Sequence, residues 1–179
     1  MSATQLKTQA IADNAISTPK IGDGQITQPK LASGVGGNTD HSFRLKQGPQ
    51  AISHNVFTAI LWPEEEFDTD NLHDIAVNND RVTITAATAG KWLLSLLLMW
   101  PDSPDVGERM IRILKNGANV DTALQRPYTG NHGMPLVTII PLAAGDFVSV
   151  EVFQQSGVTL TVVSVPKGRS TFSGIRIAT

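Results

Sequence analysis

The chain has 179 residues, a hydrophobic fraction of 41% and a formal net charge of −2 at pH 7. That apolar fraction is sufficient for a sizeable core, so most of the chain is predicted to fold. The slightly acidic charge argues against nucleic acid and membrane surfaces as partners, because both demand a basic face. The absence of cysteine excludes disulfide bonds and thiolate metal sites.

The first 35 residues carry an aliphatic side chain at every fifth position, and this ladder consists of Leu6, Ile11, Ile16, Ile21, Ile26 and Leu31. Neither a helix nor a flat strand keeps a five-residue period on one face, and Pro19 and Pro29 exclude one continuous helix. The segment therefore needs a partner, either sister chains or a larger scaffold, unless it is a disordered tail with accidental spacing. We predict an extended attachment segment over residues 1–35 and a glycine-rich joint over residues 36–49.

From residue 50 to residue 179 the patterns are those of β structure. Short runs rich in Val, Ile and Thr are separated by Gly, Pro, Asn and Asp, and no helical period is sustained. Eight strands without helices indicate an antiparallel sandwich or jelly roll. The predicted strands are Ile52–Leu61, Arg81–Thr85, Trp92–Trp100, Arg109–Lys115, Leu136–Ile140, Phe147–Phe153, Val158–Val165 and Thr171–Ile177.

The strand Trp92–Trp100 is apolar on both faces. Its nine residues are too few to span a membrane, which takes about 20 apolar residues, so no membrane insertion is expected. A strand of an antiparallel sandwich normally has one face toward water, so a strand that is apolar on both faces predicts that a second subunit covers one of them. We expect the trimer core to contain the alternating residues Trp92, Leu94, Leu96, Leu98 and Trp100.

Five short motifs follow one another along the second region of the chain. They are Phe67-Asp68 with His73-Asp74, Gly90–Leu94 (GKWLL), Ile113–Gly117 (ILKNG), Leu142–Val148 (LAAGDFV) and Phe172–Gly174 (FSG). In this order they resemble motifs of the trimeric jelly-roll heads of the complement-recognition and tumour-necrosis-factor (TNF) families, with His73 where these families usually have tyrosine. The resemblance implies an all-β, antiparallel, homotrimeric jelly roll over residues 50–179.

The proline-lysine repeat around Ile16 and Ile26 resembles the attachment segments of bacteriophage fibre and head-decoration proteins. This second resemblance covers about residues 6–35. Taken with the head, it implies a virion protein that is assembled in the host cytoplasm and attached to a capsid or tail by its N-terminal segment.

Motifs for catalysis are absent from the sequence. No nucleophile elbow, phosphate-binding loop or paired histidines at metal-ligand spacing occurs, so we expect no enzyme activity, no cofactor and no metal site. The acidic segment from Glu64 to Asp74 begins like a calcium loop but lacks the required glycine and final glutamate, and a solvated loop is the simpler interpretation.

One loop carries side chains suited to gripping a sugar or a protein, namely Arg126, Tyr128, Asn131 and His132. The alternative is an ordinary crossover loop. Two functions follow as hypotheses. The first is a structural trimer that decorates a capsid or forms a fibre, and the second is a head that recognises a host-surface polysaccharide.

Overall fold

The computed structural model describes residues 41–127, 129–162 and 170–178, and all of them belong to the second of the chain's two units, Asp40–Thr179. These residues form an all-β structure, and none of them lies in a helix that could cross a membrane. The strands are β1 (Ser42–Lys46), β2 (Gln50–Ile52), β3 (Thr58–Ala59), β4 (Glu64–Asp68), β5 (Arg81–Thr83), β6 (Gly90–Trp100), β7 (Arg109–Lys115), β8 (Ala118–Gln125), β9 (His132–Leu142), β10 (Phe147–Gln154), β11 (Leu160–Val162) and β12 (Thr171–Ala178).

The strands form two larger antiparallel sheets and a small one. The first sheet has the order β4-β1-β12-β6-β9, and the second has the order β3-β10-β7-β8 with β5 also paired to β10. Strands β2 and β11 form a separate pair. Apart from the β7–β8 hairpin, neighbours in the two larger sheets are far apart in sequence, as expected for a jelly roll. The predicted antiparallel jelly-roll fold is confirmed.

Aromatic side chains occupy the core between the sheets. The Phe172 ring lies 5.3 Å from the Phe43 ring and 5.7 Å from the Trp62 ring, and Phe43 lies 5.9 Å from Trp92. Gly174 is needed beside them, because a Cβ atom there would lie 2.4 Å from the Phe43 ring. The motifs GKWLL and FSG therefore meet at one place in the core.

The sheet starts earlier than the sequence predicted. Strand β1 begins at Ser42, inside the range 36–49 that was predicted to be a joint. Alternation along this short strand buries Phe43 and Leu45 while Arg44 stays exposed, and five residues are too few for the pattern to stand out. The aliphatic ladder of residues 6–31 lies outside the described residues and stays a prediction.

The acidic segment is a strand and not a loop over Glu64–Asp68. Its charge misled the sequence interpretation, because consecutive glutamates disfavour a central strand. As β4 it lies at the edge of the first sheet, beside β1. There Glu66 forms ion pairs with Arg44 and Lys46, with N–O distances of 3.3 and 3.1 Å. Charged edge strands also resist unwanted pairing with other chains.

Two other strand predictions were incomplete. The range Ile52–Leu61 is not one strand. It contains the last residue of β2 and all of β3, and a turn with Asn55 at a φ of 59° separates the two strands. The exposed edge strand β8 was missed, since its polar composition resembles that of a loop. Of the range Val158–Val165, the described residues contain only β11.

Candidate binding surfaces

The five residues predicted to form the trimer core lie inside a single chain. Trp92, Leu94, Leu96, Leu98 and Trp100 alternate along β6, and each is at most 1% exposed. Their shared face meets the second sheet, because every second side chain of a strand points the same way. A side chain that its own chain already buries has no surface left for a partner. These residues are therefore the core of one protomer, and the prediction that they form the trimer core is corrected.

The opposite face of β6 supplies the surface that a partner could cover. In the pairing register, Leu93 lies between Ile139 of β9 and Ile175 of β12. One step along, Ser95 lies between Val137 and Ser173. Directly opposed residues on one face of a sheet contact each other, so these side chains form one surface across three strands, which is apolar except for Ser95 and Ser173.

We call this surface the outer apolar face. Its aliphatic members are unusually exposed for their size, with Val137 at 56% and Ile139 at 57%. A depression of about 260 Å³ lies in it between Phe67, Leu93 and Ile175. A large apolar patch on the surface of a folded domain usually marks an interaction site. The outer apolar face consists of Phe67, Leu93, Leu97, Val137, Ile139 and Ile175.

The outer face of the second sheet is covered differently. The Arg112 guanidinium lies 3.7 Å from the centre of the Phe57 ring and forms an ion pair with Glu151. Likewise, the Arg81 guanidinium lies 4.7 Å from the centre of the Phe147 ring. Cations over ring faces cover part of the apolar surface. On this face, arginine side chains of the same chain therefore cover the rings of Phe57 and Phe147.

The four residues predicted for a ligand loop separate in the structure. Arg126 is exposed, whereas His132 begins β9 and is 1% exposed, so its ring faces the interior. Asn131 has a structural role, because its Oδ1 accepts a 2.7 Å hydrogen bond from the Asp102 amide. Tyr128 lies outside the described residues. Of the described members, Arg126 is exposed and lines a cavity, whereas His132 is buried and the Asn131 Oδ1 is used within the chain.

Arg126 lines a cavity with a volume of about 470 Å³. The other lining residues are Asp105, Gly107, Glu108 and Pro127. We call this space the loop cavity, because it lies between the β6–β7 loop (residues 101–108) and the β8–β9 loop, whose described residues are 126, 127 and 129–131. Arg126, on one side of this cavity, was singled out from the sequence, but Asp105 and Glu108, which form its acidic side, were not.

A buried arginine shapes the acidic side of the loop cavity. The Arg109 guanidinium is 0% exposed and donates to the carbonyls of Val106, Pro104 and Glu108 at 3.1–3.2 Å and to Ser103 Oγ at 3.1 Å. Burial lowers the pKa of the Arg109 guanidinium, and the nearby charge of Asp105 opposes that shift. A sequence signal did exist, because Arg109 alternates in phase with the buried Ile111 and Ile113.

Two of the sequence motifs are joined at the ends of their strands by a hydrogen-bonded cluster around Asp146, which we call the Asp146 latch. The Asp146 carboxylate accepts hydrogen bonds from Lys115, Asn116 and the Ala143 amide, at 2.7–2.8 Å. These contacts, led by the one from Lys115, lower the pKa of Asp146 to about 2. Lys115 also donates to the Pro141 carbonyl at 3.0 Å. The ILKNG and LAAGDFV motifs thus hold the fold together and carry no site chemistry.

His73 occupies a polar pocket of its own. Its side chain is fully buried, with Nδ1 2.8 Å from Glu65 Oε1 and Nε2 3.3 Å from the Asn79 carbonyl. The other carboxylates of the acidic segment are also paired within the chain, for example Asp70 with His41 at 2.8 Å. In the described parts of the chain, no group of three His, Asp or Glu side chains could hold a metal ion.

Solved structures of two kinds share this fold. The chain matches the Eiger TNF of S. frugiperda with a TM-score of 0.58 and 13% identity, over 78% of this chain and 93% of that one. Murine APRIL at pH 5.0 gives a TM-score of 0.59 and 12% identity, over 77% and 99% of the two chains. The globular domain of zebrafish complement 1qA gives 0.56 and 11%, over 76% and 96%. The head is a TNF- and C1q-type jelly roll.

At such low identity the similarity concerns the fold alone. No protein-family model matches the chain, and no curated protein sequence matches it. The resemblance read from five short motifs is confirmed for the head. The resemblance of the N-terminal repeats to bacteriophage attachment segments stays a prediction.

Proposed function

We propose that the head forms a homotrimer through the outer apolar face. The observation that carries this proposal is the row formed by Ile139, Leu93 and Ile175, which crosses three strands. Burying each leucine-sized side chain contributes roughly 1.5–3 kcal/mol. Several such side chains in each chain are enough to hold three heads together. The similarity of the fold to the TNF and complement heads, whose motifs imply trimers, supports the same arrangement.

The trimer is proposed to act as a non-enzymatic structural protein of a virion. Residues 1–35 would attach it to a capsid or tail, with the aliphatic ladder against a partner and the head displayed outward. Assembly would take place in the host cytoplasm. The support for this part is the five-residue ladder and the resemblance of its proline-lysine repeats to bacteriophage attachment segments.

Two measurements test the proposal. Light scattering on the full chain should give three times the monomer mass of 19.2 kDa, and a monomer would contradict the trimer. On purified particles, the double variant Ile16→Ser with Ile26→Ser should lose occupancy measured by quantitative mass spectrometry. The matched control is Gln25→Ser with Gln28→Ser, which changes residues between the ladder positions. Equal occupancy of the two double variants would show that the ladder is not the anchor.

A second candidate function is recognition of a host-surface polysaccharide by the exposed head. The observation that favours it is the position of Arg126, which lines the loop cavity together with Asp105 and Glu108. In this case the attachment segment and the trimer keep their roles, and the head adds a binding function.

A further inference from the structure

We propose that the loop cavity is a binding site for a neutral saccharide. The inference rests on the second candidate function and names its site and its class of ligand. It does not depend on the outer apolar face, which lies on the first sheet, whereas the cavity is built by two loops at the ends of strands.

The first argument concerns charged side chains that form no hydrogen bond or ion pair within the described residues. These side chains are Asp105, Glu108 and Arg126, which line one cavity, and of the three Asp105 lies near the charge of Arg109. Most other acidic and basic groups of the head are paired, as with Arg112 and Glu151. Carboxylates accept hydrogen bonds and guanidinium groups donate them. The cavity therefore offers both functions to a ligand.

Hydroxyl groups are the ligand groups that fit such a lining best. A hydroxyl can donate to Asp105 or Glu108 and accept from Arg126 at the same time. With the buried Arg109 guanidinium behind Asp105, two carboxylates face two guanidinium groups, so the site carries no net positive charge that would attract phosphate and other anions. The volume of about 470 Å³ falls within the 300–1,000 Å³ range of small-molecule sites. A neutral sugar satisfies all three conditions.

The second argument concerns the rigidity of the cavity wall. Arg109 ties the carbonyls of Pro104, Val106 and Glu108 to one buried guanidinium. Gly107 fits only as glycine, because its φ is 71° and a Cβ atom would lie 2.1 Å from the Gln155 carbonyl oxygen. A wall fixed before binding loses little entropy when a ligand arrives.

The two loops are also joined to each other through Asp102. Its amide donates to Asn131 Oδ1 at 2.7 Å, and its carboxylate accepts from the Gly130 amide at 2.9 Å. The β6–β7 loop and the β8–β9 loop therefore keep a fixed separation. Asn131, predicted from the sequence to touch a ligand, instead holds the cavity open.

The test uses the full chain on a glycan array that contains neutral and anionic saccharides, followed by isothermal titration with the best neutral binder. We expect binding to a neutral saccharide by the wild type, and at least a tenfold loss for Arg126→Ala and for Glu108→Gln, because hydrogen bonds to charged groups contribute about that much. Both substitutions are at accessible positions. Circular dichroism of each variant checks that its fold is unchanged.

Lys91→Ala is the matched control. Lys91 is exposed near the start of β6, roughly 30 Å along the strand from the loop that follows Trp100, so its loss should leave binding unchanged. A wild type that binds no saccharide, or binds only anionic ones, overturns the proposal, and so do Arg126→Ala and Glu108→Gln variants that bind as the wild type does. Light scattering of the same samples reports on the trimer separately.

Discussion

The two sheets of the head differ in what covers their outer faces. On the second sheet, the Phe57 ring is 39% exposed but has the Arg112 guanidinium 3.7 Å from its centre. On the first sheet, Val137 and Ile139 are more than half exposed, and none of the cation–π contacts among the described residues involves the outer apolar face. The comparison shows that burial has to be judged face by face. On the second sheet, cations of the same chain lie over two aromatic rings, whereas the outer apolar face of the first sheet has no such cover among the described residues.

The largest expected effect comes from the buried face of β6. Leu96 and Leu98 are 1% and 0% exposed, and an aspartate at either position would place a charge in the core at a cost of several kcal/mol. A domain of this size is stable by only about 5–15 kcal/mol in total. We expect the double variant Leu96→Asp with Leu98→Asp not to fold, as measured by circular dichroism. A cooperative thermal transition in this variant would show that the assigned core is wrong.

Charges on the outer apolar face should separate subunits without unfolding them. Val137→Glu with Ile139→Glu removes two contacts and places two carboxylates in the proposed interface, so light scattering should give a folded monomer. Leu124→Glu is the control, because Leu124 is 55% exposed on the edge strand β8 of the second sheet. It should leave the trimer intact. If Leu124→Glu dissociates the protein and the double variant does not, the interface has been assigned to the wrong sheet.

The next effect concerns the two glycines that face opposite sides of the first sheet. Gly174→Ala places a methyl group 2.4 Å from the Phe43 ring in the core, so we expect a loss of about 1–3 kcal/mol in unfolding free energy. At Gly133 the nearest atoms are 3.1 Å away and belong to the flexible ends of Leu97 and Met99. Gly133→Ala should therefore cost less. Urea denaturation of both variants measures the difference, and equal losses would contradict the assigned packing.

The smallest effect is confined to acid pH. The folded pKa of Asp146 is about 2, below its ordinary value of 3.8, so its contribution to stability is present above about pH 3.8 and is lost as the pH falls through about 2. Asp146→Asn should remove this part of the acid dependence, as measured by thermal melting between pH 2 and pH 5. Glu108→Gln, which breaks no hydrogen bond or ion pair among the described residues, is the control. An unchanged acid dependence in Asp146→Asn would show that the contacts of Asp146 do not stabilise the folded state.

Strands whose pattern depends only on their own residues could be predicted from the sequence. Arg109–Lys115 was predicted with the bounds that β7 has in the structure, and the Asn116-Gly117 turn after it takes φ values of 52° and 79°. Strands β1, β4 and β8 were missed, because they are short or polar and their own residues give little strand signal. They are strands because they pair with neighbouring strands of the sheet. Glu66 of β4, for example, depends on Arg44 and Lys46 of β1.

The sequence by itself determined the fold class, the alternation of β6 and the five motifs of the head, since all of these are local patterns. It also established that β6 is apolar on both sides. Only the tertiary structure decided which side faces the core, because period-two alternation makes the two faces of a strand equivalent until a second sheet packs on one of them. The loop cavity could not be predicted either, for a different reason. Arg126 and Glu108 are distant in sequence, and they share a cavity only because the pairing of β7 with β8 brings their loops to one end of the sandwich.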